Sequence, residues 1–161
     1  TLRLIGKTVA TFYNNWDERI YREYLELFSL DENKKVHDLS EGMKVKFSIT
    51  LALSHGAEFL IMDEPTANLD YGNQQRVLAQ IRALAARGYT VLLSTHNPEH
   101  ALHYAHRILA LQGGHIAADG LTETALTPQL LQTLYGIQAI LAEVPTDRGT
   151  VRSLIVTEDM E

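Results

Sequence analysis

Apolar residues recur at helical spacing along the front of the chain and then gather into short continuous runs in its middle. Ile20, Tyr21, Tyr24, Leu25 and Phe28 predict a helix from about Asp17 to Phe28. Asn15, with Glu18 three residues on, matches an N-terminal capping arrangement. Polar Asp31-Glu32-Asn33 makes a turn, and a second helix is predicted over 41–55, capped by Ser40 and ended by Gly56. Phe59-Leu60-Ile61-Met62 stops abruptly at Asp63-Glu64-Pro65 and reads as a buried strand. Val77, Leu78, Ile81, Leu84 and Ala85 predict a helix over 74–87, with Gly88 as its stop. Thr90 to Ser94 reads as a second buried strand, and Asn97-Pro98-Glu99 opens another helix. A hairpin is expected around Gly113-Gly114, from Arg107–Gln112 to His115–Ala118. Thr127-Pro128 starts a helix that Gly136 ends, and Ile137 to Val144 and Val151 to Thr157 are two further candidate strands.

Composition narrows the class. The 161 residues amount to about one domain. At 45% hydrophobic and 21% charged, extensive disorder is excluded and a sizeable core is expected. The lack of cysteine excludes a disulfide framework, a Cys-ligated zinc site and a thiol nucleophile. No apolar run approaches the ~18 residues of a membrane span. No secretory signal is visible, and Thr1 is not a natural start, so the chain is expected to be processed or to be part of something longer. The net charge of −6 is uneven: residues 1–50 hold eight Lys/Arg against eight acids, and the remainder holds six Arg against twelve. No basic stripe is present, which argues against nucleic acid as the main partner.

The order strand, helix, strand across 59–94 is a β-α-β unit, whose crossover makes the two strands parallel. Ligands of open α/β sheets bind beyond the C-terminal strand edge. Asp63 and Glu64 leave the first strand at that edge, and Thr95 and His96 leave the second. One carboxylate can hold Mg²⁺ through water, a second can polarise an attacking water, and an imidazole can orient a phosphate oxygen. Taken alone, an Asp-Glu pair after a strand also reads as a mere strand terminator, with His96 as a turn residue.

Four motifs in series then resemble those of the ATP-binding cassette (ABC) transporter ATPases. Leu39-Ser40-Glu41-Gly42-Met43 resembles the signature, Phe59 to Glu64 the Walker B strand, and Pro65 to Asp70 the segment ending in the D-loop. His96 sits where the switch histidine follows the next strand. The match covers about residues 1–120. The front, Phe12 to Asp17 and Leu39 to His55, is most similar to bacterial exporter-type cassettes. The tail, Leu126 to Ile137, is more similar to iron-chelate and haem importer cassettes.

The resemblance implies an α/β, P-loop NTPase-like (RecA-like) fold: a mostly parallel sheet with flanking helices plus part of a helical subdomain. It divides the chain into 1–56 (partial helical subdomain with the signature), 57–120 (RecA-like core) and 121–161 (C-terminal helix and hairpin extension). It further implies an ATP-hydrolysing subunit that uses ATP and Mg²⁺. Such subunits pair head to tail with a second ABC ATPase, drive a membrane-spanning partner, and sit peripherally on the cytoplasmic face of the bacterial membrane. In that scheme Ser40 and Gly42 contact the partner's ATP, Asp63 holds Mg²⁺ through water, Glu64 activates water, His96 touches the γ-phosphate and Asp70 signals across the dimer.

Two departures stand out. The signature has Glu41 and Met43 where Gly and Gln are usual, placing a negative charge near an anion that must point away or weaken binding. No G-x-x-x-x-G-K-[ST] is present. Gly6-Lys7-Thr8 looks like its end, but Thr1 stands where the first Gly should, and Lys7 lies only 33 residues before Ser40. We therefore expect Gly6-Lys7-Thr8 to be a decoy, the chain to begin inside the helical subdomain, and the natural product to be longer. Alone, the 161 residues should bind ATP poorly, be inactive, and be marginally stable or associate. Two other readings compete: a docking or regulatory module without its own phosphate loop, and a metal-dependent hydrolase using Asp63, Glu64 and His96. His100, His103 and His106 add to the metal reading, against a solvated helix with incidental histidines. Trp16 with Tyr13 reads as an aromatic platform or as a core or interface anchor.

Overall fold

The computed structural model describes residues 1–147 and 149–157. It forms two compact units, Thr1–Ser94 and a second beginning at Thr95.

The first unit contains α1 (Leu2–Ala10), α2 (Glu18–Leu27), a 3₁₀ turn (Val36–Asp38), α3 (Glu41–Ser54), β1 (Phe59–Met62), α4 (Tyr71–Ala86) and β2 (Thr90–Leu93). Asp17, not Asn15, caps α2, its carboxylate accepting from Arg19 N and Ile20 N. Ser40 caps α3 as expected, and Gly56 follows that helix in the left-handed region. Tyr21, Tyr24 and Leu25 from α2 and its C-cap residue Phe28 enter one core with Phe47, Ile49 and Leu53 from α3, Leu60 from β1 and Val77, Ile81 and Leu84 from α4.

Helix α1 was not expected. Its intrinsic signal is weak because Gly6 sits mid-helix, and tertiary contacts stabilise it instead. Leu2 is fully buried, and its carbonyl accepts the Tyr21 hydroxyl at 2.9 Å. The backbone N–H groups of Leu2 and Arg3 donate to the carbonyls of Lys34 and Glu32, both at 2.9 Å.

Strands β1 and β2 pair in parallel, with Phe59 opposite Thr90 and Met62 opposite Leu93. Alternate side chains of a strand point to opposite faces. Leu60, Met62, Val91 and Leu93 face the helical core, whereas Phe59 (51%), Ile61 (72%) and Leu92 (50%) are exposed. The two strands are thus half-buried, not buried on both faces as their apolar runs predict.

The second unit opens with α5 (Pro98–Tyr104) and the antiparallel hairpin β3 (Arg107–Gln112) and β4 (His115–Leu121). Gly113 and Gly114 turn it with φ of 56° and 79°, the left-handed pair that suits the strands' twist. Next come α6 (Thr122–Ala125), α7 (Pro128–Tyr135) and a second antiparallel hairpin, β5 (Ala139–Thr146) and β6 (Gly149–Val156). Thr127 caps α7 and Gly136 ends it in the left-handed conformation, as expected. Leu126, Leu130, Leu131 and Ala139 form a small core of their own, with Leu102, Ile108 and Leu154 packed on it.

Candidate functional site

The parallel register brings Met62 and Leu93 opposite each other, so the residues after them emerge at one sheet edge. Ser94 N donates to the Met62 carbonyl at 2.9 Å, continuing the ladder by one rung. The Ser94 hydroxyl then joins the acidic pair: it donates to Asp63 Oδ1 at 2.6 Å and accepts from Glu64 N at 2.9 Å. Glu64 holds φ of 45°, a left-handed conformation that costs a non-glycine residue roughly 1–2 kcal/mol. The Ser94 bond and a turn bond from Ala67 N to the Glu64 carbonyl (2.9 Å) keep it there. Strain of this kind at a strand end is a pointer to function. The sequence reading overlooked Ser94. Its signal was a small hydroxyl residue closing a strand that runs parallel to one ending in Asp-Glu.

The segment after the acidic pair is braced. Pro65 and Thr66 are buried, and Gln74 Nε2 donates to the carbonyls of Thr66 (3.4 Å) and Leu69 (3.1 Å). Asp70 caps α4: its Oδ1 accepts from Asn73 N at 2.9 Å and its Oδ2 from Asn73 Nδ2 at 2.6 Å. These bonds, the backbone one first, hold the Asp70 carboxyl below the usual carboxylate range. Because Asp70 is the cap, α4 starts three residues before the predicted Gln74.

At the start of α3, Ser40 Oγ accepts from Met43 N at 3.3 Å. Gly42 is buried in the first turn, and a Cβ there would lie 3.7 Å from Val77 and 3.8 Å from Leu69, ordinary contacts. The chain's own packing therefore does not demand glycine at 42. Glu41 Oε1 pairs with Lys44 Nζ at 2.6 Å, one turn along the same helix, which offsets the charge that the sequence flagged.

Gly6-Lys7-Thr8 lies inside α1 and forms no phosphate cradle. Thr8 Oγ1 donates back to the Leu4 carbonyl at 3.0 Å, and Gly6 makes room for Tyr21, whose ring a Cβ would meet at 2.6 Å. Gly6 is thus a packing residue. Trp16 packs on the core near Tyr21, as an anchor does, whereas Tyr13 is exposed and stacks on His55 at 4.1 Å.

His96 lies in a bend two residues beyond Ser94, in the second unit. The ring of His100 is buried, 3.0 Å from Thr95 Oγ1 and 3.2 Å from Asn97 Nδ2. Among the described residues no group of three or more His, Cys, Asp or Glu side chains is gathered where it could hold a metal ion. A Mg²⁺ ion in a nucleotide site asks less, one or two carboxylates beside phosphates and waters. Asp63 meets that demand: it is exposed at the sheet edge, with one oxygen committed to Ser94. The described residues therefore fit the carboxylate side of a nucleotide site, and Gly6-Lys7-Thr8 does not fit the phosphate side.

Comparison with known proteins agrees with this layout. Residues 7–100 match a family model described as "AAA domain, putative AbiEii toxin, Type IV TA system". The chain is 31% identical over 150 residues to the iron(3+)-hydroxamate import ATP-binding protein FhuC of Bacillus subtilis, covering 91% of this chain and 55% of the relative. It is 40% identical over 106 residues to the Nod factor export ATP-binding protein I of Rhizobium meliloti, covering 64% and 31%. A solved structure, an inward-facing "putative metal-chelate type ABC transporter", superposes with a TM-score of 0.80 at 22% identity, over 98% of this chain and 65% of that one. That likeness establishes the P-loop NTPase-type fold of a cassette. The chain spans about half the length of the first of these relatives or less. With its matched family model, its fold and its relatives in agreement, the chain belongs to the AAA-type domain family, and the proteins it is similar to include ATP-binding proteins of import and export systems.

Proposed function

We propose that this chain is the C-terminal portion of the ATP-hydrolysing subunit of an ABC transporter. The observation that carries the reading is the Asp63–Ser94–Glu64 arrangement at the C-terminal edge of two parallel strands, beside a braced loop running to Asp70. Asp63 would hold Mg²⁺, and that ion would supply charge neutralisation on the phosphates. Glu64 accepts a proton from the attacking water, and His96 donates to a phosphate oxygen. Ser40 and Gly42, at the positive end of α3, face the ATP of a second ABC ATPase subunit bound head to tail. Asp70 transmits the state of one site to the other. Residues 1–56 belong to the helical subdomain, 57–120 to the RecA-like core and 121–161 to an extension.

No helix among the described residues is long and apolar enough to cross a membrane. In this reading the subunit is peripheral, on the cytoplasmic face, and works through a membrane-spanning partner. The isolated 161 residues are inactive, because the phosphate cradle lies in another part of the protein. The helical setting of Gly6-Lys7-Thr8 favours a second reading, a docking module without its own phosphate loop. An in-frame G-x-x-x-x-G-K-[ST] upstream in the gene supports the transporter subunit, and a start codon immediately before Thr1 supports the module.

The decisive test is Glu64→Gln in the full-length protein. ATP binding is retained and turnover falls by about a hundredfold or more. Turnover equal to wild type removes Glu64 from the chemistry.

A further inference from the structure

The turn that carries His96 is tied on both sides by one imidazole. His100, on α5, is 5% exposed. Its Nδ1 lies 3.0 Å from Thr95 Oγ1 and its Nε2 lies 3.2 Å from Asn97 Nδ2, so the ring bonds the two residues that flank His96.

The proton positions in this group follow from counting donors and acceptors. Asn97 Oδ1 is committed to the N–H of Glu99 at 2.9 Å, the cap of α5. The Asn97 atom turned to the ring is therefore the amide nitrogen, which only donates. His100 Nε2 must accept, so the one proton of a neutral ring resides on Nδ1, and Nδ1–H donates to Thr95 Oγ1. Thr95 Oγ1 also accepts from Asn97 N at 3.1 Å, which closes the turn under His96. Every one of these bonds has a defined direction with the Nδ1–H tautomer. With the proton on Nε2, two donors would face each other at Asn97.

We propose that His100 is a positioning residue: as the neutral Nδ1–H imidazole it clasps Thr95 and Asn97 and fixes the turn that presents His96 to the nucleotide phosphate. The inference rests on the reading of His96 as a phosphate-facing residue. Its geometric half, the clasp and the tautomer, stands apart from that reading and has its own readout.

Two measurements test it. The first is ¹⁵N NMR of the imidazoles in the wild-type chain at neutral pH. His100 is expected to show a protonated Nδ1 and an unprotonated Nε2, and the reverse tautomer overturns the clasp whatever His96 does. The second is steady-state ATP turnover in the full-length protein. His100→Leu, which keeps apolar bulk and loses both bonds, is expected to lower kcat about tenfold with KM for ATP little changed. His100→Asn, able to donate to Thr95, and His100→Gln, able to accept from Asn97, recover part of the loss. In a His96→Ala background His100→Leu costs nothing further. An equal extra loss in that background overturns the positioning role. If His96→Ala alone leaves turnover intact, the reading of His96 fails, and the NMR result still decides the clasp. Should His100→Leu fail to fold, the Asn and Gln variants with the double mutants carry the same comparison.

Discussion

Ser94 reaches across from the end of β2 to Asp63 at the end of β1, its hydroxyl 2.6 Å from Asp63 Oδ1. Through the same oxygen it accepts the backbone N–H of Glu64 at 2.9 Å. One side chain thereby fixes the rotamer of the first acid and the backbone of the second. Ser94→Ala leaves both groups to find water or other partners. The expected loss is about 1–3 kcal/mol in chemical denaturation. In the full-length protein the fall in kcat should exceed any change in ATP affinity. A variant as stable and as active as wild type would show that Ser94 is incidental.

Gly6→Ala sets two effects against each other. Alanine in a helix interior gains about 1 kcal/mol over glycine. The added Cβ would meet the Tyr21 ring at 2.6 Å, and overpacking of that kind costs about 1–3 kcal/mol. The second effect should win, so Gly6→Ala lowers the melting temperature. Lys7→Ala, at an exposed position of the same helix, should leave both stability and ATP turnover of the full-length protein unchanged. A collapse of ATP binding in Lys7→Ala would restore the phosphate-loop role that the helical setting of Gly6-Lys7-Thr8 denies.

Burial, helped by Glu32 and Glu18, pushes the Tyr21 phenol up to about 12 from its ordinary 10.0. The folded state therefore resists ionisation that the unfolded chain allows. Stability from this group is complete below about pH 10 and declines as pH rises from about 10 to 12. Tyr21→Phe should be weaker near neutrality, through loss of the bond to the Leu2 carbonyl, and flatter across the alkaline range. Tyr89, also raised to about 12, leaves a residual slope. Denaturation midpoints at several alkaline pH values measure the difference.

Asp70→Ala removes the cap of α4. Amide exchange at Tyr71, Gly72 and Asn73 should quicken, while Asp70→Asn retains most of the protection. The Asp70 carboxyl titrates below its ordinary range in the folded chain, so its contribution is present above the ordinary pKa and is lost as pH falls through the lowered one. Unchanged exchange in Asp70→Ala would mean that the first turn is held by Gln74 and the loop instead.

The exposed row Phe59, Ile61 and Leu92 is an apolar strand face, a common origin of association. Sedimentation of the isolated chain should show association that grows with concentration. Replacing Ile61 and Leu92 by Thr should reduce it without lowering the melting temperature, since neither side chain faces the helical core. A monomer at all concentrations would contradict this.

Much of the fold was legible because its determinants are local. Ser40, Asn97-Pro98, Thr127-Pro128 and Gly136 mark helix ends through bonds to residues within one turn, and these ends fell where expected. The parallel run of β1 and β2 was legible from the crossover alone. What sequence could not supply was tertiary. Helix α1 exists through Leu2, Lys34 and Tyr21, far apart in the chain. The apolar runs at 59–62 and 90–94 pointed to burial on both faces, whereas one face of the strands is exposed, because continuous apolar residues do not by themselves report what packs on each side. Asp63 and Glu64 were found from the strand order and the motif and Ser94 was not, because its contribution is a contact across thirty-one residues.

The left-handed backbone at Glu64 bears on how the domain responds to selection. Glycine, and to a lesser degree asparagine, adopts that conformation with less strain than glutamate. A library ranked by heat resistance alone should drift toward those residues at 64, whereas one ranked by turnover should hold glutamate there. Divergence of the two pools at this one codon would measure how much folding free energy the domain forgoes to keep a carboxylate at the sheet's edge.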